Sequence, residues 1–161
     1  MIGVTIALAL HVLAIVLWIG GVAFVTTVLL PAVNQFASAR DRVALFERIE
    51  RRFAWQARGT TLLAGATGVY MVDRLGLWAA FSSIEYWWLD AMVLIWIVFT
   101  FMLFVAEPLF LERWFERRAE REPEGTFVII QRLHWFLLIL SLVTVVGAVA
   151  GSHGMSFTAG R

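Results

Sequence analysis

The sequence has 161 residues, of which 61% are hydrophobic, and its formal net charge is +1. Soluble domains contain about 45–50% apolar residues, so this composition excludes a soluble protein and predicts an integral membrane protein. The chain has no cysteine, which excludes disulfides, iron–sulfur clusters, thiolate metal sites and covalently attached haem. At this length we expect a single transmembrane domain.

The first long apolar run, residues 2–30, predicts a transmembrane helix, and Pro31 suits its inner end. Within it lies His11, a histidine with no water or charged neighbour in sequence to satisfy its ring nitrogens. At about 100° per residue, Trp18 lies about 20° from His11 around the helix and about 10 Å further along it. We therefore expect both side chains to face the same neighbours.

The rest of the chain predicts three further spans, at about 54–72, 84–111 and 126–150. Between the first and second spans, residues 37–52 form an amphipathic segment that is expected to lie along the cytoplasmic surface. The second span is rich in glycine and alanine, which favours close helix packing over a cradle for a flat cofactor. Near the inner end of the third span, Glu107 is expected to form an ion pair with an arginine.

The charges predict the orientation of these spans. All thirteen basic residues are arginines, and ten of them lie in residues 40–58 and 113–121. By the positive-inside rule both stretches are cytoplasmic, whereas residues 73–90, with three acids and one arginine, face outward. The predicted fold is an all-α, antiparallel four-helix bundle with both termini outside, in a bacterial-type cytoplasmic (inner) membrane. The arginines alternate with glutamates beside spans, which indicates contact with the lipid bilayer and excludes nucleic acid as a partner.

Two histidines, His11 and His134, lie well inside predicted spans. Neutral imidazole is the usual axial ligand of non-covalently bound haem, so we expect haem b on His11, with His134 as the second ligand. The alternative is that each ring only braces the bundle through a hydrogen bond to a hydroxyl or a carbonyl. Helix lengths place the two rings about 6–15 Å apart in depth, which leaves open two singly ligated haems or a different group opposite His11.

Other side chains are candidates for supporting roles. Arg52 and Arg132 lie toward the inner side, as does Arg58, where guanidinium groups could contact haem propionates. Near the outer surface, His153 and Met155 offer imidazole and thioether ligands that suit copper, particularly Cu(I). The simpler interpretation of these last two residues is a flexible C-terminal tail.

The first span carries the motif His11-x6-Trp18-x-Gly20-Gly21, which resembles the first-span signature of the copper resistance protein D (CopD)-like membrane proteins and the HemJ-type protoporphyrinogen oxidases. The entry to the second span is also similar to the CopD-like pattern, and it reads Arg51-Arg52-Phe53-Ala54. The resemblance covers about the first half of the chain. It implies that His11 is a haem or metal ligand, and HemJ-type members bind haem b and oxidise protoporphyrinogen.

The chain departs from the HemJ-type pattern in the fourth span, which reads Gln131-Arg132-Leu133-His134-Trp135 in place of a segment containing Asn-Glu-Pro. We therefore expect a haem b protein of electron-transfer type, or a membrane oxidoreductase, that works with a redox partner. The alternative is a CopD-like copper-handling protein that uses His11, His153 and Met155. The glycine and tryptophan faces would permit a homo-oligomer.

Overall fold

The computed structural model describes residues 1–36, 38 and 41–153, and this part of the chain is helical with no β-strand. Its long helices are numbered here in chain order: α1 (Ile2–Phe24, continuing through the π-helical Val25–Leu29 into Leu30–Phe36), α2 (Arg42–Arg74), α3 (Trp87–Phe101, continuing through the π-helical Met102–Leu111 into Glu112–Ala119) and α4 (Pro123–Ser152). Two short 3₁₀ turns, Leu77–Ser82 and Ile84–Tyr86, lead from α2 to α3.

The outer surface of the helices is that of a membrane protein. In the described part of the chain, three stretches are long and apolar enough to cross a membrane: Ile2–Gln35, Ile84–Ala119 and Pro123–Ser152. They expose large apolar side chains such as Val16 and Phe136, each more than half accessible. Water would disfavour such a surface, whereas lipid does not. The prediction of an all-helical, multi-pass membrane protein is confirmed at this level.

The predicted second span, 54–72, lies within α2, which is not among the three apolar stretches. Gln56, Arg58 and Thr60 lower its hydropathy. These polar groups have partners inside the protein: the Thr60 hydroxyl donates to the Gln56 carbonyl, and Arg58 pairs with Glu107. These polar groups of α2 are therefore satisfied by neighbouring residues, although the helix itself is less apolar than the other long helices.

The amphipathic segment predicted at 37–52 is not a separate surface helix. From Arg42 onward it forms the first turns of α2, and residues 37, 39 and 40 lie outside the described part of the chain. Val43 and Phe46 are 3% and 1% exposed. They pack with apolar residues of α1 and α4, namely Val25, Leu30, Val33, Phe127 and Ile130. Val43 and Phe46, on the apolar face of this segment, are thus covered by protein.

The helices approach one another where aromatic rings lie against glycines. α1 packs most extensively on α2, and α3 packs on α4. A Cβ atom would collide with the opposing ring at four of these contacts: Gly21 with Phe53, Gly65 with Trp96, Gly147 with Trp87, and Gly151 with Trp88. The ring of His11 lies over Gly68 in the same way, although less tightly. The space beside Gly65 and Gly68 of α2 is therefore filled by side chains of the protein, as the packing interpretation predicts, whereas Gly59 has open space beside it.

Candidate functional site

His11 lies half-buried between α1 and α2. Its Nδ1 atom is 2.9 Å from the Ala64 carbonyl oxygen and 3.0 Å from Oγ1 of Thr67. A carbonyl oxygen can only accept, so Nδ1 carries the proton and donates it to Ala64. Nε2 then carries the lone pair, and it has no partner among the described residues. This is the tautomer in which a histidine binds a metal through Nε2.

Thr67 contributes a second acceptor to the His11 ring. Its hydroxyl lies 2.7 Å from the Leu63 carbonyl oxygen and 3.1 Å from that of Ala64, so it donates its own proton to the backbone of α2. The oxygen lone pairs remain for the Nδ1–H of His11. Both acceptors belong to α2, which holds the ring from across the helix interface.

Trp18 is deeply buried, with 3% of its surface exposed. Its indole packs edge-to-face on Phe99 of α3, with ring centroids 4.8 Å apart. The two side chains of the first-span motif therefore contact different helices, although they lie on nearly the same face of α1. Within the described part of the chain, the buried indole Nε1–H has no hydrogen-bond partner. A buried N–H group of this kind is a donor available to a water or a ligand atom.

His134 has partners on both ring nitrogens. Nδ1 lies 2.9 Å from the Ile130 carbonyl of its own helix, and Nε2 lies 3.3 Å from Oε1 of Glu50 on α2. Phe46 packs edge-to-face on the ring at 5.4 Å between centroids. Ligation of an iron by Nε2 would first require Glu50 to leave. The donor set of His134 therefore does not fit an axial ligand in this arrangement, whereas that of His11 does.

The structure does not bring the two histidines together. Both are held by α2, His11 at Ala64 and His134 at Glu50, and this helix is continuous between the two positions. Fourteen residues at 1.5 Å each separate these anchors by about 21 Å. Two axial nitrogens must each lie about 2 Å from one iron, so the rings as placed cannot share a haem.

Arg58 joins α2 to the π-helical part of α3. Its Nε donates to the Leu103 carbonyl at 3.0 Å, and its Nη2 lies 3.1 Å from Oε1 of Glu107. In a π-helix the Leu103 carbonyl would accept from the N–H five residues later, but that residue is Pro108, which has no N–H. Arg58 therefore satisfies the carbonyl that Pro108 leaves free. The predicted ion pair of Glu107 with an arginine is confirmed.

A cavity of about 300 Å³ is lined by the members of both ion pairs described above, Arg58 with Glu107 and His134 with Glu50. It is lined by apolar side chains from all the long helices and by six charged or titratable ones: Glu47, Glu50, Arg51, Arg58, Glu107 and His134. The sequence interpretation missed Glu50, because it is next to arginines and resembles a surface charge. A usable signal was present: Glu50 follows Phe46 by four residues, so it shares the apolar face of α2.

The other candidate residues lie apart from this cavity. Arg52 and Arg132 are exposed and do not line it. His153 is exposed at the end of α4, where its Nδ1 lies 2.8 Å from the Val149 carbonyl. Met155 is outside the described residues. Among the residues that are described, no three His, Asp or Glu side chains form a metal-binding group.

Comparison of this chain with protein families, with curated proteins and with solved structures gives no match.

Proposed function

We propose that this chain is a haem b-binding membrane protein of electron-transfer type, with His11 as the axial ligand. The observation that carries the proposal is the hydrogen bond from His11 Nδ1 to the Ala64 carbonyl, which leaves the Nε2 lone pair for iron. A bound haem would supply a reversible one-electron change of its iron. The partner in electron transfer would be a second redox protein or a small carrier in the membrane.

The residues around His11 would set its properties as a ligand. The Ala64 carbonyl fixes the tautomer, and Thr67 restricts rotation of the ring. An acceptor on Nδ1 also raises the basicity of Nε2, which strengthens its bond to a metal. Trp18 would pack beside the site, and its unpartnered Nε1–H is a donor available to a haem substituent or a water.

The membrane topology is part of the proposal. All the long helices would cross the bilayer in alternating directions, with both termini outside and the arginine-rich stretches in the cytoplasm. α2 can belong to this bundle despite Arg58, because its guanidinium group is neutralised by Glu107 and bonded to a carbonyl. Cysteines introduced at position 38 and in the 77–82 turn should label from opposite sides of the membrane.

The test is an optical spectrum of the full-length protein purified after expression with ample haem. We expect a Soret band that is lost in His11→Ala and retained in His134→Gln and His153→Gln. A colourless wild-type protein, or a His11→Ala spectrum identical to the wild-type spectrum, would refute haem binding at His11.

A copper-handling role is the second proposal, and one observation favours it. His153 donates from Nδ1 to the Val149 carbonyl, so its Nε2 is also available to a metal, and it is exposed at the end of α4. Metal analysis of the same preparation separates the two proposals. Stoichiometric copper that is lost in His153→Gln would support copper handling, with Met155 as a further ligand.

A further inference from the structure

The cavity beside His134 and Arg58 has the character of a ligand site that the haem proposal does not use. We propose that it binds the ring of a neutral, lipid-soluble quinone or quinol, whose oxygens contact the His134–Glu50 pair. This proposal concerns binding alone and does not depend on the presence of haem.

The pair holds one proton that either partner can carry. His134 Nδ1 donates to the Ile130 carbonyl, so the contact between Nε2 and Glu50 contains one further proton, on the imidazole or on the carboxyl. With that proton on Nε2, the pair can donate to a ring carbonyl. With Glu50 as a carboxylate, it can accept from a ring hydroxyl. Carbonyl and hydroxyl are the two states of a quinone oxygen.

The rest of the lining favours a neutral ligand. Its three carboxylates face two guanidinium groups and the proton of the pair, so the charges balance without a bound ion. Arg58 already binds Glu107 and the Leu103 carbonyl. A charged ligand would have to break one of these contacts, whereas a neutral ring would not.

The walls and the position of the cavity suit a flat apolar ring. Phe46, Phe53 and Phe99 line it, and aromatic side chains pack well against a planar ring. Trp55, another lining residue, is 70% exposed on the outer face of α2. The cavity therefore reaches the surface that meets lipid, from which a prenylated or alkylated ring can enter.

The test measures saturable binding of decylubiquinone to the full-length protein in detergent, by calorimetry against a matched blank. The control ligand is decylbenzene, which has the same alkyl chain on a ring without oxygens. We expect saturable binding of decylubiquinone only. Equal binding of decylbenzene would mean that the oxygens are not recognised, and it would overturn the proposal.

Variants then locate the ligand. Glu50→Gln keeps the size of the side chain but removes the shared proton, and we expect its Kd to rise about 10-fold or more. Leu133→Trp would fill the cavity with a larger side chain and should abolish decylubiquinone binding. His153→Gln, far from the cavity, should bind decylubiquinone as wild type does. If Leu133→Trp does not fold, Glu50→Gln decides alone, and an unchanged Kd in that variant refutes the site.

Failure of this proposal is distinguishable from failure of the haem proposal. His11→Ala should lose the Soret band and keep decylubiquinone binding, because its ring is anchored about 21 Å along α2 from Glu50. Glu50→Gln should keep the Soret band and weaken decylubiquinone binding.

Discussion

His11 and His134 make the same kind of hydrogen bond through Nδ1, but their rings offer different chemistry at Nε2. Each donates Nδ1–H to a backbone carbonyl, His11 to Ala64 on the neighbouring helix and His134 to Ile130 on its own. The difference lies at Nε2, which has no partner among the described residues in His11 and faces Glu50 in His134. The second nitrogen thus separates a candidate metal ligand from a candidate proton carrier.

The largest expected effect comes from removing the side chain of Arg58, which pairs with Glu107. Arg58→Leu leaves the Glu107 carboxylate and the Leu103 carbonyl without this donor. We expect the free energy of unfolding to fall by about 3 kcal/mol. Thermal unfolding in detergent, followed by far-ultraviolet circular dichroism, measures the change.

Two matched variants control for loss of charge in general. Arg52→Leu removes an exposed arginine and should change stability by less than about 0.5 kcal/mol. The double variant Arg58→Leu with Glu107→Leu should recover part of the loss, because the carboxylate that Arg58 neutralises is then removed as well. Equal effects of Arg58→Leu and Arg52→Leu would contradict a specific role for the Arg58 contacts.

A smaller effect is expected at two adjacent glycines of α1. An added methyl group should change the free energy of unfolding in opposite directions at these two positions. A Cβ at Gly21 would collide with the ring of Phe53, which lines the cavity beside His134. Gly21→Ala should therefore destabilise the protein by about 1–3 kcal/mol. Gly20 has open space, so Gly20→Ala should stabilise the helix by about 0.5–1 kcal/mol. Unfolding curves with the same sign for both variants would contradict this packing.

The smallest effect is expected beside His11, at Thr67. Thr67→Val keeps the shape of the side chain but removes the second acceptor of His11 Nδ1, whereas Thr67→Ser keeps it. We expect the valine variant to lose about 1 kcal/mol of haem affinity and the serine variant to bind as wild type. Haem transfer to apomyoglobin measures the affinities. A valine variant that retains haem as well as wild type would mean that Ala64 alone orients the ring.

The sequence predicted what depends on local composition. Long apolar runs predict membrane-spanning helices, and two glycines of α2, Gly65 and Gly68, lie against side chains as the packing interpretation expects. Glu107 was expected to pair because a carboxylate at that depth needs a counter-charge. These features follow from the chemistry of a single stretch of chain.

The features that the sequence did not predict depend on which helix surfaces pack against each other. The apolar face of residues 43–53 is equally suited to lipid or to α1, and only the packing of Phe46 against α1 and α4 decides between them. The contact of Glu50 with His134 joins positions that are distant in the chain, so no periodicity reveals it. Helical angles placed Trp18 beside His11, but its ring is long enough to reach Phe99 on another helix.

The π-helical stretch of α3 has a consequence for tolerance to changes in chain length. Met102–Leu111 has more residues per turn than the α-helix on either side, so it acts as an insertion within one helix. Removing a single residue there would favour an ordinary α-helix, while the helix beyond it would keep nearly the same orientation. The side chains inside the stretch, Glu107 among them, would change direction around the helix, even though no charged residue had been deleted. The length of this stretch, as much as its chemical character, therefore sets the direction in which Glu107 faces Arg58.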